Sequence, residues 1–92
     1  MIVSFKDADT ALLAQGFRVK RFAAFERVAK RKLMQLQIAT TLNDLRVPPG
    51  NRLESLKGDR KGAYSIRIND RMRICFRWTA SGAEDVEIVD YH

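Results

Sequence analysis

Apolar residues along this chain recur at two spacings, and the change from one to the other falls at Pro48 and Pro49. Before the prolines, Phe22, Phe25, Ala29, Leu33 and Leu36 follow steps of three and four, which places them on one stripe of a helix over residues 22–39. Arg27, Lys30 and Arg31 fall on the opposite side, with Met34 among them. Upstream, "DADTALLAQG" offers Asp7 or Asp9 as an N-cap and Gly16 as a stop, which predicts a short first helix. "TTLNDL" adds a last helical turn before the prolines, which remove an N–H and lock φ and so end any helix.

After the prolines the period is two, the spacing of strands. "AYSIRIN" turns Tyr64, Ile66 and Ile68 one way and Ser65, Arg67 and Asn69 the other; "MRICFRW" sets Met72, Ile74, Phe76 and Trp78 against Arg73, Cys75 and Arg77. Asn69-Asp70 reads as a tight turn, and "TASGA" sends the chain back into "DVEIVDY". The opening "MIVSF", short and β-branched, suits a first strand. The expectation is an α+β fold in one domain over residues 1–92, with an N-terminal strand and two helices packed on a small antiparallel sheet. The helix covers the apolar sheet face, and the other face is left open with Arg67, Arg73 and Arg77 in a row.

Composition narrows the picture. A chain of 92 residues supports one modest core, and its hydrophobic fraction of 46% is that of a globule. No apolar run approaches the roughly 20 residues that span a bilayer, and "MIVSFKDAD" does not read as a secretory signal, so the expected compartment is the cytosol, away from membranes. The single Cys75 cannot close an internal disulfide; no Cys/His cluster suggests a metal, and no cofactor is implied.

Charge changes the picture more. A net charge of +6 points to a polyanion, for which nucleic acid is the commonest partner of a small basic domain. Guanidinium forks in a row on a strand match phosphate oxygens, although arginines paired with acids on a neighbouring strand explain the pattern equally well. The basic stretch "RLESLKGDRKG", residues 52–62, brings Lys57, Arg60 and Lys61 close to flexible backbone; it fits a phosphate or a plain surface loop, and is not a P-loop. Glu54 within it is a base or, more simply, an ion-pair partner.

The chain ends "VEIVDYH", with its only histidine last. An imidazole titrates near neutral pH, Asp90 can orient it, and Tyr91 can stack a base; a frayed polar end is the plainer reading. If this end meets the basic face, RNA cleavage needs no metal. The 2′-hydroxyl is the nucleophile, and the reaction asks only for a base, cations on the phosphate and an acid for the leaving 5′-oxygen. Asp90, His92, Lys57 and Arg73 are residues of the required types. Such a site requires these four to line one concavity.

"NRLESLKGDRKGAYSIRINDRMRICFRW" followed by "VEIVDYH" resembles the HigB-type toxins, also called plasmid maintenance system killer proteins, of the RelE/ParE superfamily. The resemblance runs over nearly the whole chain, including "MIVSF" and "PPGNRLE", and its most specific parts are "LKGDR", "SIRIND-RMRICF" and the terminal "DYH". It implies a toxin of a type II toxin–antitoxin system that cuts mRNA on the ribosome. It also implies a HigA-type helix-turn-helix antitoxin as partner, and operator DNA reached indirectly through the antitoxin complex. Residue by residue, it assigns catalysis to Asp90, Tyr91, His92, Lys57 and Arg73. Some relatives carry histidine where this chain has Glu54, so an imidazole that could assist proton transfer is absent here, and the resemblance does not divide the acid and base roles. Arg27, Lys30, Arg31, Arg60, Arg67 and Arg77 are then expected to contact RNA and the ribosome. Two alternatives stand beside the nuclease: a toxin that cleaves no RNA and inhibits a protein such as gyrase, and a basic module acting only within a DNA-bound complex.

Overall fold

The computed structural model describes residues 1–58 and 62–90. Helix α1 (Ala8–Ala14) begins at Asp7, whose carboxylate accepts from the Thr10 N–H at 2.9 Å, and the chain leaves it through Gly16 at φ +102°. The expected long helix is realised in two pieces. A 3-10 stretch, Lys20–Phe25, leads into helix α2, Glu26–Ile38. The apolar stripe is preserved through the change, since Phe22, Ala29, Leu33 and Leu36 are all buried in the core. Two short 3-10 turns follow, Leu42–Arg46 and Pro49–Asn51. The first is held by a capping box in which Thr41 and Asp44 bond each other's backbone.

Four strands then form one antiparallel sheet in sequence order: β1 (Glu54–Ser55), β2 (Ala63–Arg67), β3 (Met72–Thr79) and β4 (Gly82–Asp90). Strand β1 lies inside the stretch read from sequence as a basic loop; two residues carry too little alternation to show as a strand. "MIVSF" does not make a continuous strand either. It runs parallel to β4 and touches it at two isolated bridges, Ile2 to Ala83 and Phe5 to Val86. Between the bridges the Ser4 hydroxyl accepts from Asp85 N–H, where β4 carries a residue at φ +53° and its register with β3 shifts, so the backbone ladder is interrupted. Gly82 permits this docking, because a Cβ there would lie 2.3 Å from the Met1 carbonyl oxygen.

The helices cover one face of the sheet, where Ile66, Ile74, Phe76, Val86 and Ile88 join the core under Leu13, Phe22, Leu33 and Leu36. The other face is not open. Leu56 folds back over Ala63 and Cys75 as a second small cluster, with Val89 at its edge. Among the described residues no helix is long and apolar enough to cross a membrane.

Candidate functional site

The second, loop-covered face carries the unusual chemistry. Alternation along β2 and β3 puts Ser65, Arg67, Arg73, Cys75 and Arg77 there, and cross-strand register sets Glu54 opposite Ser65, Ser65 opposite Cys75, and Arg67 opposite Arg73. Arginines directly opposite each other repel. The repulsion is relieved by sending the guanidinium groups apart. Arg67 turns to the Asp70 carboxylate at the β2–β3 turn, whereas Arg73 turns inward.

Arg73 is only 8% exposed. Its Nε donates to the Ser65 hydroxyl at 2.8 Å, and one Nη donates to the Arg52 carbonyl at 2.6 Å and the Ser65 carbonyl at 3.3 Å. All of these acceptors are neutral, and Arg73 makes no ion pair with a described carboxylate. A buried charge is costly unless compensated, and these hydrogen bonds orient the guanidinium without neutralising its charge among the described residues. The Arg52 carbonyl is presented by a residue in the left-handed region, φ +45°, immediately after the proline turn.

The structure brings some of the sequence-predicted residues together and separates others. Glu54 is exposed and lies on the Arg73 face, in register with the serine that accepts from Arg73. Lys57 is exposed and follows Leu56, whose N–H donates to the Ala63 carbonyl and whose side chain packs on that same face. Asp90 is separate. It registers with Met72, a core-facing residue, so it projects from the opposite face to Arg73, and its carboxylate accepts from Arg71 at 2.9 Å. The expectation that Arg73 and Asp90 line one concavity is therefore corrected: successive strand residues alternate, and it is Val89, not Asp90, that stands opposite Arg73. Asp90 instead shares a depression with Phe25, Asn69, Asp70, Arg71 and Met72. The expectations for Arg60, Tyr91 and His92 lie outside the described residues.

The outlying cations differ in their company. Arg27 and Arg31 are exposed on α2, while Lys30 is half-buried and faces Glu26 at 3.7 Å. Arg77 is exposed on the strand face. Sequence reasoning missed Ser65, Arg52 and Asn51. Ser65 was legible as the small hydroxyl residue on the arginine side of β2; the Arg52 carbonyl has no signal in side-chain type.

A family model described as "RelE-like toxin of type II toxin-antitoxin system HigB" matches residues 14–92. The chain is 46% identical over 56 residues to Toxin HigB-1 of Vibrio cholerae, covering 61% of this chain and 59% of that protein. It is 38% identical over 52 residues to an uncharacterized protein of Haemophilus influenzae, covering 56% of this chain and 52% of that one. The matched stretches thus span between half and three-fifths of these relatives. The family match includes the whole sheet and the buried Arg73 site, and the chain belongs to the HigB-like, RelE-like toxins of type II toxin–antitoxin systems.

Proposed function

We propose that this protein is an endoribonuclease that cuts mRNA on the ribosome, and that an antitoxin of the HigA type holds it in check. The observation that carries the reading is Arg73: a guanidinium buried on a sheet face and fixed by neutral oxygens, with no carboxylate among the described residues paired to it. A phosphodiester is an anion whose planar oxygen pairs suit that fork. In the transition state the phosphate gains charge, so a cation held ready in a partly desolvated place stabilises it more than the ground state.

Lys57, exposed beside this face, supplies a second cation to the same phosphate. The RNA brings the nucleophile, its own 2′-hydroxyl, and His92 is the group suited to move protons near neutral pH. Asp90, bound to Arg71 on the other face, is assigned a supporting role: it anchors the end of β4, from which Tyr91 and His92 continue. Glu54, on the Arg73 face by register, is the carboxylate able to share acid or base work where some relatives have histidine. Arg27 and Arg31, exposed on α2, and Arg67 and Arg77 on the sheet supply contacts to ribosomal RNA, where charge density favours binding.

The test is induced expression with mapping of mRNA 5′ ends. The intact chain should create new ends within codons, and Arg73→Ala, or deletion of His92, should remove them. Arg73→Lys, which keeps the charge but not the fork, should retain a residue of cleavage. Growth arrest with intact mRNA would overturn the reading and favour a protein target.

A further inference from the structure

Residues 51 and 52 are gripped from two sides. From the helix layer, Lys32 on α2 reaches inward and its ammonium donates to the Asn51 side-chain oxygen. Lys32 is 6% exposed and Asn51 is fully buried. The amide nitrogen of Asn51 donates in turn to Gln35 Oε1 at 3.1 Å, to the Leu45 carbonyl at 3.1 Å and to the Val47 carbonyl at 3.4 Å. One side chain thus ties α2, the preceding 3-10 turn and the proline turn together. From the sheet, Arg73 takes the carbonyl of the next residue, Arg52. The continuous path is Lys32, Asn51, Arg52, Arg73, and the segment leaving it is β1 with Lys57 beyond.

A buried lysine is costly, and here burial pushes the Lys32 ammonium below its ordinary value, with Arg31 and Arg67 adding repulsion. An apolar residue of the same length would fill this place without that cost. The fold tolerates the lysine where it fixes a turn, and the turn fixes the guanidinium.

We infer that Lys32 and Asn51 are positioning residues of the phosphate site: they hold the Arg52 carbonyl where it orients Arg73, and set the start of the segment that carries Lys57. Neither residue touches the reacting atoms. The inference rests on the nuclease reading for its effect on rate, while the coupling to Arg73 stands on geometry alone. A displacement of about 1 Å in a group that holds the reacting phosphate is enough for roughly a hundredfold loss of rate.

The experiment compares Asn51→Ala and Lys32→Met with Leu13→Ala, a substitution in the helix-side core chosen to lower the melting temperature. Two quantities are read on the full chain: solvent exchange of the Arg73 Nε–H by NMR, and kcat with KM for mRNA cleavage on programmed ribosomes. Asn51→Ala and Lys32→Met should speed that exchange at least tenfold and lower kcat at least tenfold with KM little changed. Leu13→Ala should leave both within twofold. Should either variant fail to fold, Asn51→Ser and Lys32→Gln, which keep part of the hydrogen bonding, make the same comparison with smaller changes. Unchanged Arg73 exchange in the Asn51 and Lys32 variants, or an equal change in Leu13→Ala, overturns the inference. If the intact chain cleaves nothing, the nuclease reading fails, and the exchange result still decides whether Lys32 and Asn51 set the Arg73 guanidinium.

Discussion

The two faces of the sheet follow the same alternation and each buries side chains, yet they differ in what their buried atoms require. On the helix side the side chains of Ile66, Ile74, Phe76, Val86 and Ile88 meet those of Leu13, Leu33 and Leu36, and none of these side chains needs a hydrogen-bond partner. On the loop side Ser65 and Arg73 are buried with Ala63, Cys75 and Leu56 under a segment of a few residues. Close packing holds the first face, so its tolerance is set by volume. Polar satisfaction holds the second, so its tolerance is set by donors and acceptors. A protein that merely needed a core would have built the second face like the first.

Substitutions separate these two kinds of burial. The largest effect belongs to the helix side: Phe76→Ala should cost about 3–5 kcal/mol in urea unfolding, from lost burial plus the cavity left behind. On the loop side Ser65→Ala removes few atoms but strands the Arg73 Nε–H, and a loss of about 1–3 kcal/mol is expected. If Ser65→Ala proves neutral, the loop side is held by packing after all and the contrast collapses.

A smaller effect should appear as a dependence on pH. The Lys32 ammonium is held below its ordinary 10.5 by burial first. At neutral pH both folded and unfolded chains are protonated there, and the folded state carries the penalty. As pH rises through the folded value the folded chain loses the proton before the unfolded one does, so stability increases until about 10.5. Unfolding curves of the intact chain minus those of Lys32→Met should show this alkaline rise; a flat difference would mean Lys32 is not desolvated. The smallest effect is expected at Arg71→Ala, since the pair with Asp90 is largely solvent-exposed on the arginine side and such pairs are worth about 0.2–1 kcal/mol. A larger loss would show that Asp90 anchors the end of β4 more firmly than a surface pair can.

Much of the fold was legible because its long elements repeat a period. The stripe from Phe22 to Leu36 and the alternation in β2 and β3 each repeat often enough to specify which side is buried. Strand β1 was not legible, because Glu54 and Ser55 pair with β2 through backbone atoms that any residue possesses. The candidate site was less legible. Arg73 and Leu56, the residue before Lys57, lie on one sheet face. Asp90 is not with them, and the information was present: Val86, Ile88 and Asp90 alternate with Glu87 and Val89, so the core-facing valine and isoleucine already placed Asp90 on the far side.

By itself the sequence determined the class of fold, the helix-covered face, the excess of positive charge and the residue types that a phosphate site needs, since these follow from local periodicity and composition. Only the tertiary structure decided which arginine pairs with a carboxylate and which is held, among the described residues, by neutral oxygens. Arg67 and Arg73 are alike in sequence and stand opposite each other, but Asp70 lies within reach of one, and the Arg52 carbonyl, held by Asn51 and Lys32, within reach of the other. Asp70 stands three residues from Arg67, within reach of a local spacing rule, but the Arg52 carbonyl and the residues that hold it come from segments far apart in the chain, and no spacing rule connects them to Arg73.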